Sequence, residues 1–521
     1  GRYENMNNMR VSTNGGLVTE NWFDLNASRY TASSTLQRME LLKTGYMGTL
    51  SLGWDNYLFL ELTGRQERSS TLKDQSFFYP SANLSFLFSN AFRMPAWWNH
   101  GKLRLSYGVV GNAPETYAAN IIYEQGSDNG FTWNYVPSSW GNANIRPEKK
   151  YEYEIGFESK FLNNRLGFDV SYYNNRVKDQ ILSTPQPSTS GVKYVLMNVG
   201  EVANEGWDIS VSATPVLTKN FRWDLTANYG IYRNKVVKLA DGVPYLEISN
   251  IGGGGGKIQA VEGRPMGDIY VQVPQMNENG EYLVSDKGLY MNQTELQRVG
   301  NINPDGVGGL FSSFSYKNIF LDFSIDFRIG GDVINEMYQY STASGLTPES
   351  LQFRDTEHGG LSYYYPGNNN ASGVPVQVDP SLGAGPNGET VYHDGVILPG
   401  VVASTGEKNT RIIPAGYYYN QTYNWGTQPE QLTYRHSVFD NSYVKLRELT
   451  IGYQFPEKLI SKLGMTRLSV SVFGRNLFYF YKALKNYDAE SSVGTSWASQ
   501  AVVGGSTTAT RNFGVSLRAS F

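Results

Sequence analysis

The residues best suited to bind a ligand are aromatic side chains that cluster between segments of regular alternation. Two tyrosine triplets and two tryptophans carry flat rings, and such rings stack on sugars or seat peptides. Asp394 and the amides near residue 420 supply groups that hydrogen-bond hydroxyls or peptide amides. The predicted ligand- or partner-contacting residues are Tyr363, Tyr364, Tyr365, Tyr417, Tyr418, Tyr419, Trp425, Asp394 and Trp133.

Three interpretations of these aromatic clusters stay open. The rings contact a ligand, they contact a partner protein, or they pack the loops against one another. No catalytic pattern accompanies them, because the four histidines are scattered and no nucleophile elbow or HExxH motif occurs. The absence of cysteine excludes disulfides and thiolate metal sites. We therefore expect a protein that is not an enzyme and that holds no metal and no cofactor.

The composition favours a chain of many short strands. The 521 residues carry a net charge of −3, with 17% charged and 14% aromatic residues. The charged fraction is below that of ordinary soluble domains, and the 37 tyrosines and 55 glycines suit strands joined by turns. No basic stripe is visible, so we expect no nucleic-acid partner. No apolar run approaches the roughly 18 residues that a membrane helix needs.

Apolar and polar residues alternate with a period of two along much of the chain. In the last segment Phe513, Val515, Leu517, Ala519 and Phe521 alternate with polar or small residues, which predicts a strand that runs to the final residue. The same alternation occurs at residues 103–109, 153–157, 166–172, 207–211, 223–231, 319–329, 449–455 and 468–472. It predicts roughly 14 to 16 strands of about 9 to 13 residues, the length with which a tilted strand crosses a bilayer.

The connections between these segments fall into two length classes. Tight hairpins are predicted at Asp55-Asn56, Asn163-Asn164, residues 218–220 and Lys317-Asn318. Residues 234–307 and 330–441 are too long for ordinary loops. Short turns at one end and long loops at the other are typical of an outer-membrane β-barrel with its long loops outside. A soluble β-sandwich or propeller also alternates, but these strands outnumber those of one sandwich, and no blade repeat of about 40 residues is present.

Several motifs resemble those of the SusC-like (SusC/RagA type) TonB-dependent outer-membrane transporters. Residues 441–456 read NSYVKLRELTIGYQFP, residues 467–478 read RLSVSVFGRNLF, and residues 487–490 read YDAE, with Ala489 where the family has proline. The resemblance runs from about residue 44 to residue 521. It assigns barrel-signature positions to Tyr443, Leu446, Gly452, Tyr453, Asn476 and Phe521. We expect Tyr443 and Leu446 on the lipid-facing side or in its aromatic girdle.

The resemblance implies an all-β fold, an antiparallel transmembrane β-barrel of about 22 strands in the full family member. It also implies an N-terminal plug and a motif that engages TonB, for which this chain has no room. We therefore expect residues 1–521 to be the C-terminal portion of one barrel. The plug and the missing strands are then an unseen segment or a separate chain.

The implied function is TonB-dependent import of nutrient oligomers across the outer membrane of a Gram-negative bacterium, with oligosaccharides as the first expectation and oligopeptides as the second. The implied partners are a SusD-like surface lipoprotein, the TonB complex, outer-membrane lipid and the cargo, and a dimer of barrel–lid pairs is a further expectation. Two alternatives stay open: a passive outer-membrane porin, and a soluble glycan-binding or adhesin β-protein.

Overall fold

The computed structural model describes residues 1–73, 76–128, 131–251, 255–424, 433–492, 494, 496–505 and 509–521. These residues form two compact units. The first unit comprises Gly1–Trp207 and Asn234–Pro244, and the second comprises Asp208–Arg233 and Tyr245–Phe521. Trp425, one of the predicted contact residues, lies outside the described residues.

Fourteen long antiparallel strands dominate the described part of the chain. They are β1 (Arg2–Leu17), β2 (Ser28–Trp54), β3 (Leu58–Ser69), β4 (Ser76–Phe86), β5 (Trp98–Asn112), β6 (Glu148–Phe161), β7 (Leu166–Lys178), β8 (Glu201–Leu217), β9 (Phe221–Lys238), β10 (Gly306–Tyr316), β11 (Ile319–Ile329), β12 (Tyr443–Gln454), β13 (Arg467–Lys482) and β14 (Asn512–Ser520). In the first unit β1 to β7 pair in sequence order, and in the second unit β9 to β14 do the same. Strands β8 and β9 contribute residues to both units. The number of strands agrees with the range predicted from the alternation.

The two faces of these strands differ in chemistry, as the period of two requires. On one face Ile155 lies opposite Tyr172 in the β6–β7 register. On the other face the Arg104 guanidinium donates hydrogen bonds of 2.6 and 3.2 Å to the Asp169 carboxylate. The apolar face is left open: Val515 and Leu517 on β14 are 72% and 68% exposed. A large open apolar face of this kind suits a hydrocarbon solvent.

The short turns form where the sequence predicts them. Asp55 and Asn56 adopt φ of 45° and 58° between β2 and β3, and Lys317 adopts φ of 53° between β10 and β11. Left-handed backbone at both central positions matches the twist of a hairpin, and Asn and Asp tolerate it better than most side chains. The same conformation recurs at Asn163 and Asn164, between β6 and β7.

The two longest connections, residues 239–305 and 330–442, carry secondary structure of their own. The first contains a four-stranded sheet made of Tyr245–Ile251, Gly256–Val261, Asp268–Val271 and Gln297–Asn301. The second contains helices α2 (Glu336–Ala343) and α3 (Ala415–Tyr423), with the strands Asp332–Asn335, Leu361–Tyr364, Val376–Gln377, Val391–Val396, Ile413–Pro414 and Val438–Asp440. Leu283–Val284 pairs with Val401–Val402, so the two connections share a short sheet.

The buried apolar core of the second unit lies in these connections. Ile258, Ile269 and Ile334 are fully buried and pack with Val271 and Val502 in one cluster. Most of the exposed large apolar side chains lie on the long strands, although a few strand residues such as Val109 and Val236 are buried. The largest buried apolar cluster of the second unit therefore lies in its connections, while its long strands present much apolar surface.

The remaining elements are short. The helices α1 (Phe88–Ala91) and α4 (Glu457–Ile460) flank strands, and further strands span Glu124–Asp128, Phe131–Tyr135, Ser139–Trp140, Ile181–Pro185, Tyr194–Asn198 and Val502–Val503. Single 3-10 turns occur at Leu25–Ala27, Ser188–Ser190, Pro348–Leu351, Pro366–Asn368, Tyr434–Ser437, Ser461–Leu463 and Ser499–Ala501. Among the described residues, the helices are all too short or too polar to cross a bilayer. The last strand ends at Ser520, so the prediction that it includes Phe521 is wrong by one residue.

Candidate functional site

A cavity of about 590 Å³ opens inside the connection between β11 and β12, and we call it the loop pocket. Helices α2 and α3 and the strand Val391–Val396 supply its walls. Its polar lining includes Arg354, His393 and Asp394, and its aromatic lining includes Tyr392 and Tyr419. The pocket therefore combines hydrogen-bond donors, acceptors and flat rings in one place.

Asp394 is held at the pocket wall by a buried tyrosine. Tyr363 on the strand Leu361–Tyr364 is 1% exposed, and its hydroxyl donates a 3.1 Å hydrogen bond to Oδ1 of Asp394. Burial, followed by the negative charge of Asp394, raises the pKa of Tyr363, so the phenol stays protonated and remains the donor. The Tyr363 ring also stacks on Tyr392 with 5.5 Å between centroids. Tyr363 thus holds Asp394 and Tyr392 in place but does not line the pocket itself.

The second tyrosine triplet lies within α3, and its members have different roles. The Tyr419 hydroxyl donates to the backbone oxygens of Glu349 and Gln352, at 2.8 and 3.3 Å. Burial raises the pKa of Tyr419 to about 12, which keeps this donor protonated. Tyr417 and Tyr418 are half-buried and pack against the cluster of apolar residues around Ile413. The contacts of this triplet therefore mainly pack the loops together.

The structure brings together only some of the predicted contact residues. Within the described residues, Asp394 and Tyr419 line the loop pocket, while Tyr363, Tyr364 and Tyr365 form the layer behind or beside it. Trp133 lies elsewhere, on the strand Phe131–Tyr135 of the first unit, and is 47% exposed. Among the lining residues that were not predicted from the sequence, Arg354, Tyr392 and His393 carry the larger polar or aromatic side chains, and the last two directly precede Asp394.

The pocket's basic side chains are fixed by neutral partners. The Arg354 guanidinium donates a 2.9 Å hydrogen bond to the backbone oxygen of Gly345, and Nδ1 of His393 lies 2.8 Å from the Ser362 hydroxyl. The Gly345 oxygen is uncharged and does not neutralise the Arg354 guanidinium, so the positive charge of Arg354 remains available to a ligand. A polar oligomer with hydroxyl, amide or carboxylate groups would find complementary partners here.

A second arrangement fastens the connection between β13 and β14 to strand β12, and we call it the loop clamp. The Arg447 guanidinium donates hydrogen bonds of 2.6 and 2.9 Å to the two carboxylate oxygens of Glu490. The buried Lys445 ammonium binds the same carboxylate, and the side-chain amide of Asn441 donates to the Ala489 oxygen at 3.1 Å. The motif at residues 441–447 therefore holds the YDAE motif through several charge-assisted contacts.

Asp488 completes the loop clamp. Its Oδ1 accepts a 2.5 Å hydrogen bond from the Tyr479 hydroxyl on β13, and its Oδ2 accepts one of 3.0 Å from the Ala509 backbone N–H. Burial alone would raise the pKa of Asp488, but these hydrogen bonds outweigh it and hold the pKa below its usual value. Glu490 behaves alike: burial opposes ionisation, and the hydrogen bonds from Arg447 and Lys445 keep its pKa low.

A β-bulge at Arg447 decides which residues reach the clamp. Leu446 pairs with Ile325 and Glu448 pairs with the adjacent Ser324, so Arg447 has no partner on β11. Because of this extra residue, the side chains of Arg447 and Glu448 both lie on the polar face of the strand, although the two residues are adjacent. Counting back from Tyr453 without the bulge would assign Tyr443 to the lipid-facing side.

The expectation that Tyr443 faces lipid is wrong for this reason. Its hydroxyl lies 3.4 Å from Oε1 of Glu490, and its ring meets that of Tyr479 edge-on at 5.7 Å. Leu446, by contrast, pairs with Ile325 in the apolar row of β11 and is itself buried.

The other barrel-signature residues shape strands. Gly452 lies opposite Phe320, and any side chain there would overlap the Phe320 ring. Asn476 has φ of 54°, accepts a hydrogen bond from Arg447 and donates one to the Thr510 oxygen. Tyr453 stays on the apolar side, where its ring meets Phe455, and Phe521 is exposed just after β14.

With the strands and the loop sites described, comparison with known proteins gives the class. The sequence model of the family described as TonB dependent receptor-like, beta-barrel, matches residues 2–269. The chain belongs to this family, whose barrels lie in the outer membrane. The all-β barrel fold predicted from the alternation is confirmed, and so is the relationship to SusC-like TonB-dependent transporters.

Particular relatives refine this picture. The chain is 22% identical over 494 residues to TonB-dependent receptor P3 of Formosa agariphila, a match that covers 86% of this chain and 42% of that protein. It is 27% identical over 256 residues to TonB-dependent receptor SusC of Bacteroides thetaiotaomicron, covering 43% of this chain and 24% of that protein. Among solved structures, the RagAB peptide transporter aligns with a TM-score of 0.70 at 18% identity, over 98% of this chain and 52% of that one. The chain thus spans about half the length of that solved chain and less than half of these two relatives.

Proposed function

We propose that the protein is the barrel part of a TonB-dependent importer of nutrient oligomers, working with a SusD-like surface lipoprotein. Family membership supports TonB-dependent uptake, and relatives of the SusC and RagA type support a lipoprotein partner. In this proposal the connections at about residues 234–307 and 330–441 face the cell exterior, and all 521 residues belong to one barrel.

The observation that carries the proposal is the loop pocket. Arg354, His393 and Asp394 offer polar contacts beside the Tyr392 ring, within the connection that would face arriving cargo. A site of mixed donors, acceptors and rings suits an oligomer whose units repeat hydroxyl or amide groups.

Oligosaccharides and oligopeptides are both compatible with this lining. Sugar rings stack on a flat aromatic face such as that of Tyr392, whereas Arg354 suits the carboxylates of peptides or acidic sugars. The structural neighbour RagAB is a peptide transporter, while the description of SusC as a TonB-dependent receptor names no substrate. We retain oligosaccharides as the first proposal and test oligopeptides beside them.

Uptake by cells that carry the full-length gene tests the proposal. Labelled oligosaccharide and oligopeptide pools are offered to wild-type cells and to cells whose receptor lacks its TonB-engaging segment. Loss of uptake of one pool in the second strain is the expected result and names the cargo class. Uptake of both pools unchanged by this deletion would refute active import.

The passive porin makes a different electrical prediction. A plugged transporter in planar bilayers is silent, whereas a porin gives steady open channels. Steady conductance of the purified full-length receptor would favour the porin. The soluble alternative is disfavoured by the open apolar faces of β14 and its neighbours, and recovery of the native protein in a detergent-free wash would revive it.

A further inference from the structure

We propose that the outward face of β6 and β7 binds a phosphorylated lipid headgroup in the outer leaflet of the membrane. Along this face of β7 the side chains change from Val170 and Tyr172 to Asn174, Arg176 and Lys178. The proposal rests on the barrel lying in the outer membrane and is independent of the cargo.

The neighbouring strand β6 shows the same change of chemistry. Its outward residues run from Ile155 through Tyr153 and Tyr151 to Lys149, which lies directly opposite Lys178. On both strands, therefore, an apolar stretch gives way to tyrosine and then to basic residues. Tyrosine at the border of the apolar band marks the membrane–water interface in barrels.

The basic end of this face is the end away from the short turn. Asn163 and Asn164 close the opposite ends of β6 and β7 in a tight hairpin, and in outer-membrane barrels the short turns face the periplasm. Strands rise about 3.3 Å per residue, so the four residues from Tyr172 to Arg176 span about 13 Å along a tilted strand. Arg176 therefore reaches the level of the headgroups on the outer side.

A cleft at this level provides space for a headgroup. It has a volume of about 410 Å³. Its lining consists of Tyr107, Tyr151, Tyr153, Asn174, Arg176 and Lys178. Phenol hydroxyls, an amide and two cations around one cleft suit the oxygens of a phosphate on a glycolipid.

The charges of the patch favour an anion. Arg176 is paired with Glu201 at 2.9 Å, and the Glu205 carboxylate lies 3.4 Å from the Tyr172 hydroxyl, but among the described residues no carboxylate forms an ion pair with Lys149 or Lys178. Two like charges placed opposite each other on neighbouring strands are destabilising. Lys178 lines the cleft and Lys149 lies opposite it on β6, beside the cleft. A phosphate at this edge of the cleft would offset the repulsion between the two lysines and gain charge-assisted hydrogen bonds, whose strength is greater beside a lipid surface than in bulk water.

Native mass spectrometry of the purified full-length receptor tests this site. The probes are diphosphoryl lipid A and the same lipid after removal of its phosphates. The test variant is Lys149→Gln with Lys178→Gln, and the matched control is Lys219→Gln with Lys317→Gln, which removes the same charge at the short turns. We expect the test variant to bind the diphosphoryl lipid roughly tenfold more weakly than wild type, and the control to bind it like wild type.

Three outcomes would overturn the proposal. In the first, wild type binds the dephosphorylated lipid as tightly as the diphosphoryl lipid. In the second, the test variant binds the diphosphoryl lipid as tightly as wild type does. In the third, the control variant loses as much binding as the test variant. Thermal unfolding in lipid-free detergent gives an independent readout: the test variant should melt no lower than wild type, because it removes the lysine–lysine repulsion. If the double variant does not fold, Lys178→Gln alone should weaken binding of the diphosphoryl lipid about threefold, and unchanged binding would overturn the proposal equally.

Discussion

Arg447 and Glu490 are 43 residues apart in the chain, yet the guanidinium of one donates two hydrogen bonds to the carboxylate of the other. This pair joins the middle of strand β12 to the connection that precedes β14. Because Lys445 and Asn441 contact the same segment, the motif at residues 441–447 acts as a fastening for residues 487–490.

Replacing Glu490 with glutamine should release this segment. Loss of the carboxylate leaves Lys445 buried beside a neutral amide and weakens the Arg447 contact, at a cost of about 2 kcal/mol to local docking. Hydrogen exchange of residues 487–490 should then accelerate about thirtyfold, with little change in the strands. Glu457→Gln, at an exposed position on α4, serves as the control. Unchanged exchange at residues 487–490 would show that the ion pair does not hold the segment.

The loop clamp should also loosen in acid. Asp488 and Glu490 both have a pKa below the usual value in the folded state. Their contribution to docking is therefore complete above the unfolded carboxyl pKa of about 4. It is lost as the pH falls through the lower folded-state pKa. Limited proteolysis of residues 483–511 should rise below pH of about 4 in wild type and should already be high at neutral pH in Glu490→Gln. Cleavage that does not depend on pH would contradict this assignment.

Changes in the loop pocket should alter cargo affinity while leaving the barrel intact. Asp394→Asn keeps an acceptor for the Tyr363 hydroxyl but removes the charge. Tyr392→Ala removes a ring at the pocket wall. We expect Tyr392→Ala to raise the half-saturating cargo concentration for uptake about tenfold, since a stacked ring contributes about 1 kcal/mol or more. Tyr245→Ala, at an exposed loop tyrosine, should leave uptake unchanged, and an equal effect of both variants would remove the pocket from consideration.

Gly452 and Gly48 offer a paired test of strand packing. A methyl group at Gly452 would overlap the Phe320 ring, whereas one at Gly48 on β2 would meet no atom within 4 Å. Gly452→Ala should cost about 1 to 3 kcal/mol through the displaced ring, and Gly48→Ala should be close to neutral. Unfolding of the purified protein in urea, followed by the gel mobility of folded barrel, measures both. Equal stability of the two variants would show that the Phe320 ring moves aside freely.

The strands and short turns could be predicted because their signal is local. A period of two identifies a two-faced strand, and paired Asn or Asp residues identify left-handed hairpins. The orientation of Tyr443 depends on the bulge residue at Arg447, which exchanges the faces of everything before it. The sequence does carry a sign of the bulge, because the apolar positions shift from Val444 and Leu446 to Leu449 and Ile451. A uniform period of two counted back from Tyr453 misses that shift.

The roles of the loop residues are not predictable from sequence for a different reason. Tyrosine serves equally well as a core residue and as a binding surface, so the triplet at Tyr363 predicts a contact site although Tyr363 is buried. The pairing of Arg447 with Glu490 depends on a contact across a long connection, which alternation cannot reveal. Family resemblance drew attention to both motifs but did not indicate that they touch.

The loop core has a consequence for how the protein is made. Ile334 pairs in parallel with Val502, and both are buried in the cluster that also contains Ile258 and Ile269. Residues from three distant stretches of the chain must therefore meet before water is excluded from that cluster. Contacts of such long range form slowly. Until residue 502 is in place, the layer built around Ile334 lacks a wall and its apolar side chains stay open to water. A partly synthesised chain that stops short of residue 502 should therefore be more prone to aggregation than the folded molecule.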